Sequence, residues 1–124
     1  MHDVIGLEFT EVGDDYLVAT LPVDSRTKQP YGILHGGASA VLAESLGSVA
    51  SNLVIDEGWE ALGIELNANH LRAVRDGKVS GRVTAIHVGG TLHVWEIRIA
   101  DSAGALTCVS RLTVLVRERK APTT

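Results

Sequence analysis

Cysteine is almost absent from this chain. Cys108, the only one, cannot close an internal disulfide, which agrees with a reducing compartment. It stands in an alternating apolar run, where a buried structural thiol is the expected role. An excess of one charge is also missing: 11 Lys and Arg stand against 15 Asp and Glu, a formal charge of -4 with no long run of either sign. Nothing here supplies the basic surface that nucleic acid requires. The most apolar segment, HGGASAVLAESLGSVASNLVI, carries four serines, three glycines and an asparagine, too polar for a membrane span. The opening residues MHDVIGLEFT have neither a basic start nor an apolar core, so no secretory signal is expected. These absences predict a cytoplasmic protein that binds neither nucleic acid nor membrane. Catalytic signatures are missing too. There is no GxSxG elbow, no P-loop and no GxGxxG, and the five histidines, His2, His35, His70, His87 and His93, show no paired metal-ligand spacing. A metal-free carboxylate mechanism is what remains.

At 124 residues the chain predicts one domain, residues 1–124, able to bury a core without staples. Gly36 to Ile55 is a stretch of twenty residues with a single ionisable side chain, Glu44. At about 100° per residue, Leu42, Leu46, Val49 and Leu53 fall on one side of a helix. Glu44 falls on the other, among Gly37, Ala40, Val41, Gly47, Ser48 and Ser51, where a surface helix would carry long polar side chains. The helix is therefore expected to be covered all round, and a carboxylate within it is a site candidate.

Around this helix the sequence alternates. Residues 6–11 and 15–23 read as strands about a turn at Gly13, Asp14 and Asp15. Four more are expected near 60–75, 78–88, 92–100 and 105–117, punctuated by Asp76 with Gly77, Gly89 with Gly90, and Asp101 to Gly104. His93, Trp95, Ile97 and Ile99 alternate with Val94, Glu96 and Arg98, so each strand is expected to have one wet and one packed face. The fold class is α+β: a curved antiparallel sheet wrapped around one central helix. The sheet covers the Leu face, and a partner subunit is the straightforward cover for the small-residue face.

Gly36 and Gly37 stand at the helix start, where backbone amides lack intrahelical partners and can polarise a carbonyl oxygen. Glu44 lies about 10 Å further along the axis, so one chain does not easily bring both to one carbonyl. Across a two-fold dimer, the helix start of one subunit can face Glu44 of the other. Ser48 and Ser51 follow Glu44 by four and seven residues. Their hydroxyls can hold a water, or the residues can simply allow close helix packing, the stronger reading for Ser51. His35 reads as a donor or a helix cap, and His70 is similarly two-sided.

The segments QPYGILHGGASAVLAES, NANHLRAVRDGKVSG and VWEIRI resemble the hot-dog-fold acyl-CoA thioesterases. The similar branch is the PaaI-like one, which includes Arthrobacter-type 4-hydroxybenzoyl-CoA, 1,4-dihydroxy-2-naphthoyl-CoA and enterobactin proofreading thioesterases. The resemblance runs from about Ile5 to Val116, and HGG followed by Glu nine residues after the His, with NANH downstream, carries it. It implies a hot-dog fold and a homotetramer built as a dimer of dimers, with active sites at the dimer interface. The implied reaction is hydrolysis of an acyl-CoA thioester with an aromatic or other bulky acyl group, without a cofactor, coenzyme A being part of the substrate.

The resemblance also implies site roles. Glu44 would be nucleophile or general base, the Gly36 amide would polarise the thioester carbonyl, Gln29 and His35 would orient that group, and Ser48 would support the hydrolytic water. His70 would lie near the acyl group, and Arg72 with Val88, Gly89 and Gly90 would contact coenzyme A. Several relatives have a basic residue where this chain has Gly90, leaving Arg75, Lys78, Arg82 or Arg111 to substitute. The chain also starts later than many relatives. Two rivals remain open: a hydratase or dehydratase acting on enoyl thioesters, and a non-catalytic acyl-CoA binding protein.

Overall fold

The computed structural model describes residues 1–120. A short helix α1 (His2–Ile5) leads into the hairpin β1 (Glu8–Val12) and β2 (Tyr16–Pro22). The long helix α2 (Gly36–Val54) follows, then β3 (Trp59–His70), β4 (Lys78–Val88), β5 (Leu92–Ala100) and β6 (Leu106–Glu118). The strands form one antiparallel sheet in the order β1-β2-β4-β5-β6-β3. Register shifts between Phe9/Glu11, Ala85/His87, Gly63/Glu65 and Ile99/Ala100 interrupt the ladders, and such bulges bend and twist a sheet. The concave face holds α2.

Alternation predicted the central strands well. In β5, His93, Trp95, Ile97 and Ile99 are all buried, and in β6 Cys108, Leu112, Val114 and Val116 join the same core. The edges behave differently. All of β1 is exposed, so it lacks the packed face expected of every strand, whereas β3 packs Trp59, Ala61, Leu66 and Ala68 against the core and turns Leu62 and Ile64 outward, 39 % and 56 % exposed. The segment expected as strand to residue 75 leaves the sheet after His70, and the opening residues form α1.

The helix turns a different side to the sheet than its large residues predict. Buried are Ser39, Leu42, Ala43, Leu46, Gly47, Ala50 and Ser51, an arc centred on Ala43 and Ala50. Leu53 is 62 % exposed. Gly47 and Ser51 therefore belong to the core and not to the Glu44 side. The physical reason is close approach: a Cβ on Gly47 would lie 2.4 Å from Leu112 Cδ2, and one on Gly81 of β4 would lie 2.7 Å from Leu46 Cδ1. Small residues mark the line of contact, and the leucines flank it. The opposite face, with Glu44 and Asn52 exposed and Val41, Ser45 and Ser48 half-buried, is open in this chain, so α2 is not covered all round by its own sheet.

Candidate active site

The loop before α2 is built from local hydrogen bonds. Thr27 is buried; its hydroxyl donates to Pro22 O at 2.7 Å and accepts from Asp24 N at 3.2 Å. Asp24 also pairs with Arg26 at 2.7 Å, and that guanidinium hydrogen bond holds the Asp24 carboxyl below its usual range, with the Arg26 backbone amide adding to it. From this base His35 N donates to Thr27 O and Leu34 N to Val74 O, both at 2.8 Å. The chain therefore reaches the helix at a fixed angle.

His35 caps α2. Its Nδ1 accepts the Gly37 amide at 2.7 Å, which leaves the other ring nitrogen as the donor of a neutral imidazole. Ala38 N and Ser39 N turn to His35 O. Among the described residues the Gly36 amide has no partner. Of the two glycines predicted at the helix start, Gly36 is thus the one with a free donor. His70, last residue of β3, closes on it: a Cβ at position 36 would sit 3.1 Å from His70 Nε2, so only glycine leaves this approach clear. Gln29, Gly36, Ser39, His70, Arg72 and Thr107 share a cleft of about 410 Å³. The Gln29 side-chain oxygen accepts the Tyr31 amide of its own loop, which leaves the NH₂ toward other partners.

Glu44 and Ser48 are not in that cleft. They share a second hollow of about 340 Å³ with Met1, His2, Val41, Ser45 and Val49, where His2 Nε2 and Ser45 Oγ lie 2.9 Å apart. The hollow lies under the free edge of the sheet, since a Cβ on Gly63 of β3 would be 3.6 Å from Glu44 Oε1. Val88, Gly89 and Gly90 line a third cleft, with Val54, Ile55, Trp59 and His93, at the far end of α2, about 28 Å of helix from the first. One chain thus brings Gln29, Gly36, His70 and Arg72 together, with His35 at their edge, and holds Glu44 with Ser48 and the β4–β5 turn apart from them. Of the basic residues considered as substitutes, Arg82 stacks over the Tyr16 ring at 3.9 Å. Neither it nor Arg75, Lys78 or Arg111 lines any of the three clefts.

Sequence reasoning missed a buried cluster. Ser51 Oγ accepts Trp95 Nε1 at 2.7 Å and meets His93 Nδ1 at 2.8 Å; the two rings pack edge to face at 5.9 Å. Burial pushes the His93 pKa below its ordinary value, His87 pushes the same way, and a hydrogen bond to the Gly89 backbone opposes them. The signal was present, because alternation already turned His93 inward, where an imidazole needs partners. No group of three or more His, Cys, Asp or Glu suited to a metal ion occurs among the described residues, and none of their helices is long and apolar enough to cross a membrane.

Residues 31–108 match the thioesterase superfamily model. The chain belongs to this superfamily. It is a thioester hydrolase, in keeping with its named relatives. It is 52 % identical over 116 residues to the 1,4-dihydroxy-2-naphthoyl-CoA hydrolase of Escherichia coli, covering 94 % of this chain and 85 % of the relative. A proofreading thioesterase of Cronobacter turicensis is 50 % identical over 112 residues, covering 90 % and 82 %. Among solved structures, a thioesterase of Haemophilus influenzae superposes with a TM-score of 0.92 at 48 % identity, covering 94 % of this chain and 82 % of that one. The six-stranded antiparallel sheet around one central helix is the hot-dog fold of these thioesterases.

Proposed function

We propose that this thioesterase, acting as a single domain in the cytoplasm and without a cofactor, hydrolyses an acyl-CoA ester carrying an aromatic or similarly bulky acyl group. The free Gly36 amide at the start of α2, opening on a cleft with Gln29 and His70, is the observation that carries the reading. A thioester oxygen set there accepts the amide as negative charge develops on it. His35 and Gln29 keep an N–H each to orient the same group, and His70 borders the acyl side. The 52 % identical relative named for a naphthoyl-CoA ester supports a bulky acyl group.

Glu44 enters from a second copy of the chain. Its hollow borders the unpaired edge of β3, whose exposed Leu62 and Ile64 favour pairing of β3 with its symmetry mate. Such a pair sets the helix start of one subunit against Glu44 of the other, and two pairs make the tetramer. Glu44 then either takes a proton from a water held by Ser48 or attacks the carbonyl carbon itself. By either route the C–S bond breaks, water supplies the new oxygen, and coenzyme A leaves as the thiol. Arg72 and the turn Val88 to Gly90 receive the coenzyme A portion.

Thiol release by purified protein tests this across benzoyl-, hydroxybenzoyl-, dihydroxynaphthoyl- and medium-chain acyl-CoA. Wild type is expected to release thiol fastest from the aromatic esters, and Glu44→Gln to lose about 10²- to 10⁴-fold while keeping its stability. Near-normal turnover in Glu44→Gln would sink the role given to Glu44. Mixing Glu44→Gln with Gly36→Pro subunits should restore about one quarter of wild-type activity after exchange, because half of the two-fold pairs are then mixed and each of these regains one intact site of two. No restoration in exchanged mixtures would place both groups in one subunit.

A further inference from the structure

We propose that Ser39 is a second donor to the thioester oxygen, its hydroxyl joining the Gly36 amide in one hole that takes the negative charge of the reaction. This rests on the proposed place of the thioester carbonyl at the start of α2. Six polar residues are buried among the described residues: Thr27, Ser39, Ser51, His93, Thr107 and Ser110. Five of their side chains are satisfied by the fold. Thr27 donates to Pro22 O at 2.7 Å, Thr107 to Ile99 O at 3.2 Å and Ser110 to Asn67 O at 2.7 Å, while Ser51 and His93 meet each other at 2.8 Å. Ser39, only 4 % exposed, is the exception. Its hydroxyl has no hydrogen bond among the described residues. The usual outlet for a helical serine is the carbonyl four residues back. Here that carbonyl, His35 O, already accepts Ala38 N at 2.9 Å and Ser39 N at 3.3 Å, which takes up both of its lone pairs. No fully buried side-chain oxygen among the described residues lacks a partner, so the Ser39 hydroxyl reaches an open surface. That surface is the cleft it lines with Gly36 and His70.

Helix geometry aims the hydroxyl. Gly36 and Ser39 are three residues apart and so lie on the same side of α2. A helical Cα–Cβ bond tilts toward the N-terminus, the direction in which the unpartnered Gly36 N–H also points. The two donors therefore converge on an oxygen placed in the cleft just before the helix. The setting strengthens them, because Ile33, Leu34 and Val74 line the same cleft. A bound acyl group displaces water from those apolar walls and leaves the oxygen to its protein donors. Ser39 keeps its proton throughout. Its O–H bonds to the thioester oxygen, gains strength as the C=O electrons move onto that oxygen, and weakens again as the C–S bond breaks and the carbonyl re-forms.

The test uses two analogues of benzoyl-CoA that cannot be hydrolysed. In the ketone, CH₂ replaces the sulfur and the carbonyl stays. In S-benzyl-CoA, CH₂ replaces the carbonyl and the sulfur stays. Ser39→Ala is expected to weaken binding of the ketone about 10-fold and of S-benzyl-CoA by less than about twofold. It should also lower kcat for thiol release about 10²-fold and leave the urea unfolding midpoint in place. The unmoved midpoint separates this role from a packing role, because a hydroxyl without a protein partner holds nothing together. Equal weakening of both analogues, no weakening of either, or wild-type kcat overturns the proposal. Should Ser39→Ala fail to fold, Ser39→Cys, close in size and a poor donor, carries the same comparison. Gly36→Pro probes the underlying reading with the same pair of analogues. If it weakens both alike or neither, the carbonyl does not lie at the helix start and the second donor falls with that reading. If it weakens the ketone alone while Ser39→Ala does not, the role given to Ser39 alone is wrong.

Discussion

The two ends of α2 carry similar residues in opposite conditions. At its start, His35 and His70 are exposed, the Gly36 amide is unpartnered among the described residues, and a cleft opens in front of them. Toward its end, Ser51, His93 and Trp95 are buried and saturate one another. No buried side-chain nitrogen or oxygen among the described residues lacks a partner. Polar groups that hold a fold together are satisfied by the fold, whereas groups that act on a ligand keep capacity in reserve. On this contrast the start of the helix suits the proposed chemistry, and the end belongs to the framework.

The contrast can be broken most sharply at Gly36. Its amide occupies the first helical position, where proline fits, and His35 before it has φ -68 and ψ 132, the extended conformation proline requires of its predecessor. Gly36→Pro thus removes one hydrogen at little cost to the helix. We expect kcat for thiol release to fall about 10²- to 10³-fold. Gly36→Ala is the control, because its Cβ approaches His70 in the same place while the N–H stays. If alanine loses as much as proline, crowding of His70 is the cause and the free donor is not.

The opposite end should respond in stability. Ser51→Ala leaves Trp95 Nε1 and His93 Nδ1 without their shared partner inside the core, which is expected to cost about 1–3 kcal/mol in urea unfolding. Ser48→Ala, on the open face of the helix, should stay within about 0.5 kcal/mol. Comparable losses in both would erase the distinction between a satisfied face and an open one.

Much of this architecture was legible in the residues. Period-two alternation located β4, β5 and β6, and the HGG segment anticipated the start of α2. The orientation of α2 was not legible, because reading a helix by hydrophobic bulk assigns the packed face to leucine. Here the closest approach is set by Gly47 against Leu112 and Gly81 against Leu46, where lack of bulk is the signal. Nor could sequence show which glycine amide is free, since that depends on the His35 ring turning back to Gly37. The pairing of Ser51 with His93 spans 42 residues, and only the closed sheet brings them together.

The smallest effect sharpens the comparison through pH. Burial lowers the His93 pKa in the folded chain below its ordinary 6.5, so above that value the ring is neutral in both folded and unfolded states and contributes no pH dependence. As pH falls below 6.5, the unfolded chain binds a proton that the folded one resists, and stability declines until the pH passes the folded value. Below it both states are protonated and the decline stops. His87 and Asp56 lie near, so the informative quantity is the difference between wild type and His93→Gln. Urea unfolding at about pH 7.5 and about pH 5.5 should show a smaller loss on acidification in His93→Gln than in wild type. Identical losses would mean that the ring takes up its proton in the folded chain as readily as in the unfolded one. His93 would then belong with the open polar groups at the helix start, and the division between the two ends of α2 would not hold at this residue.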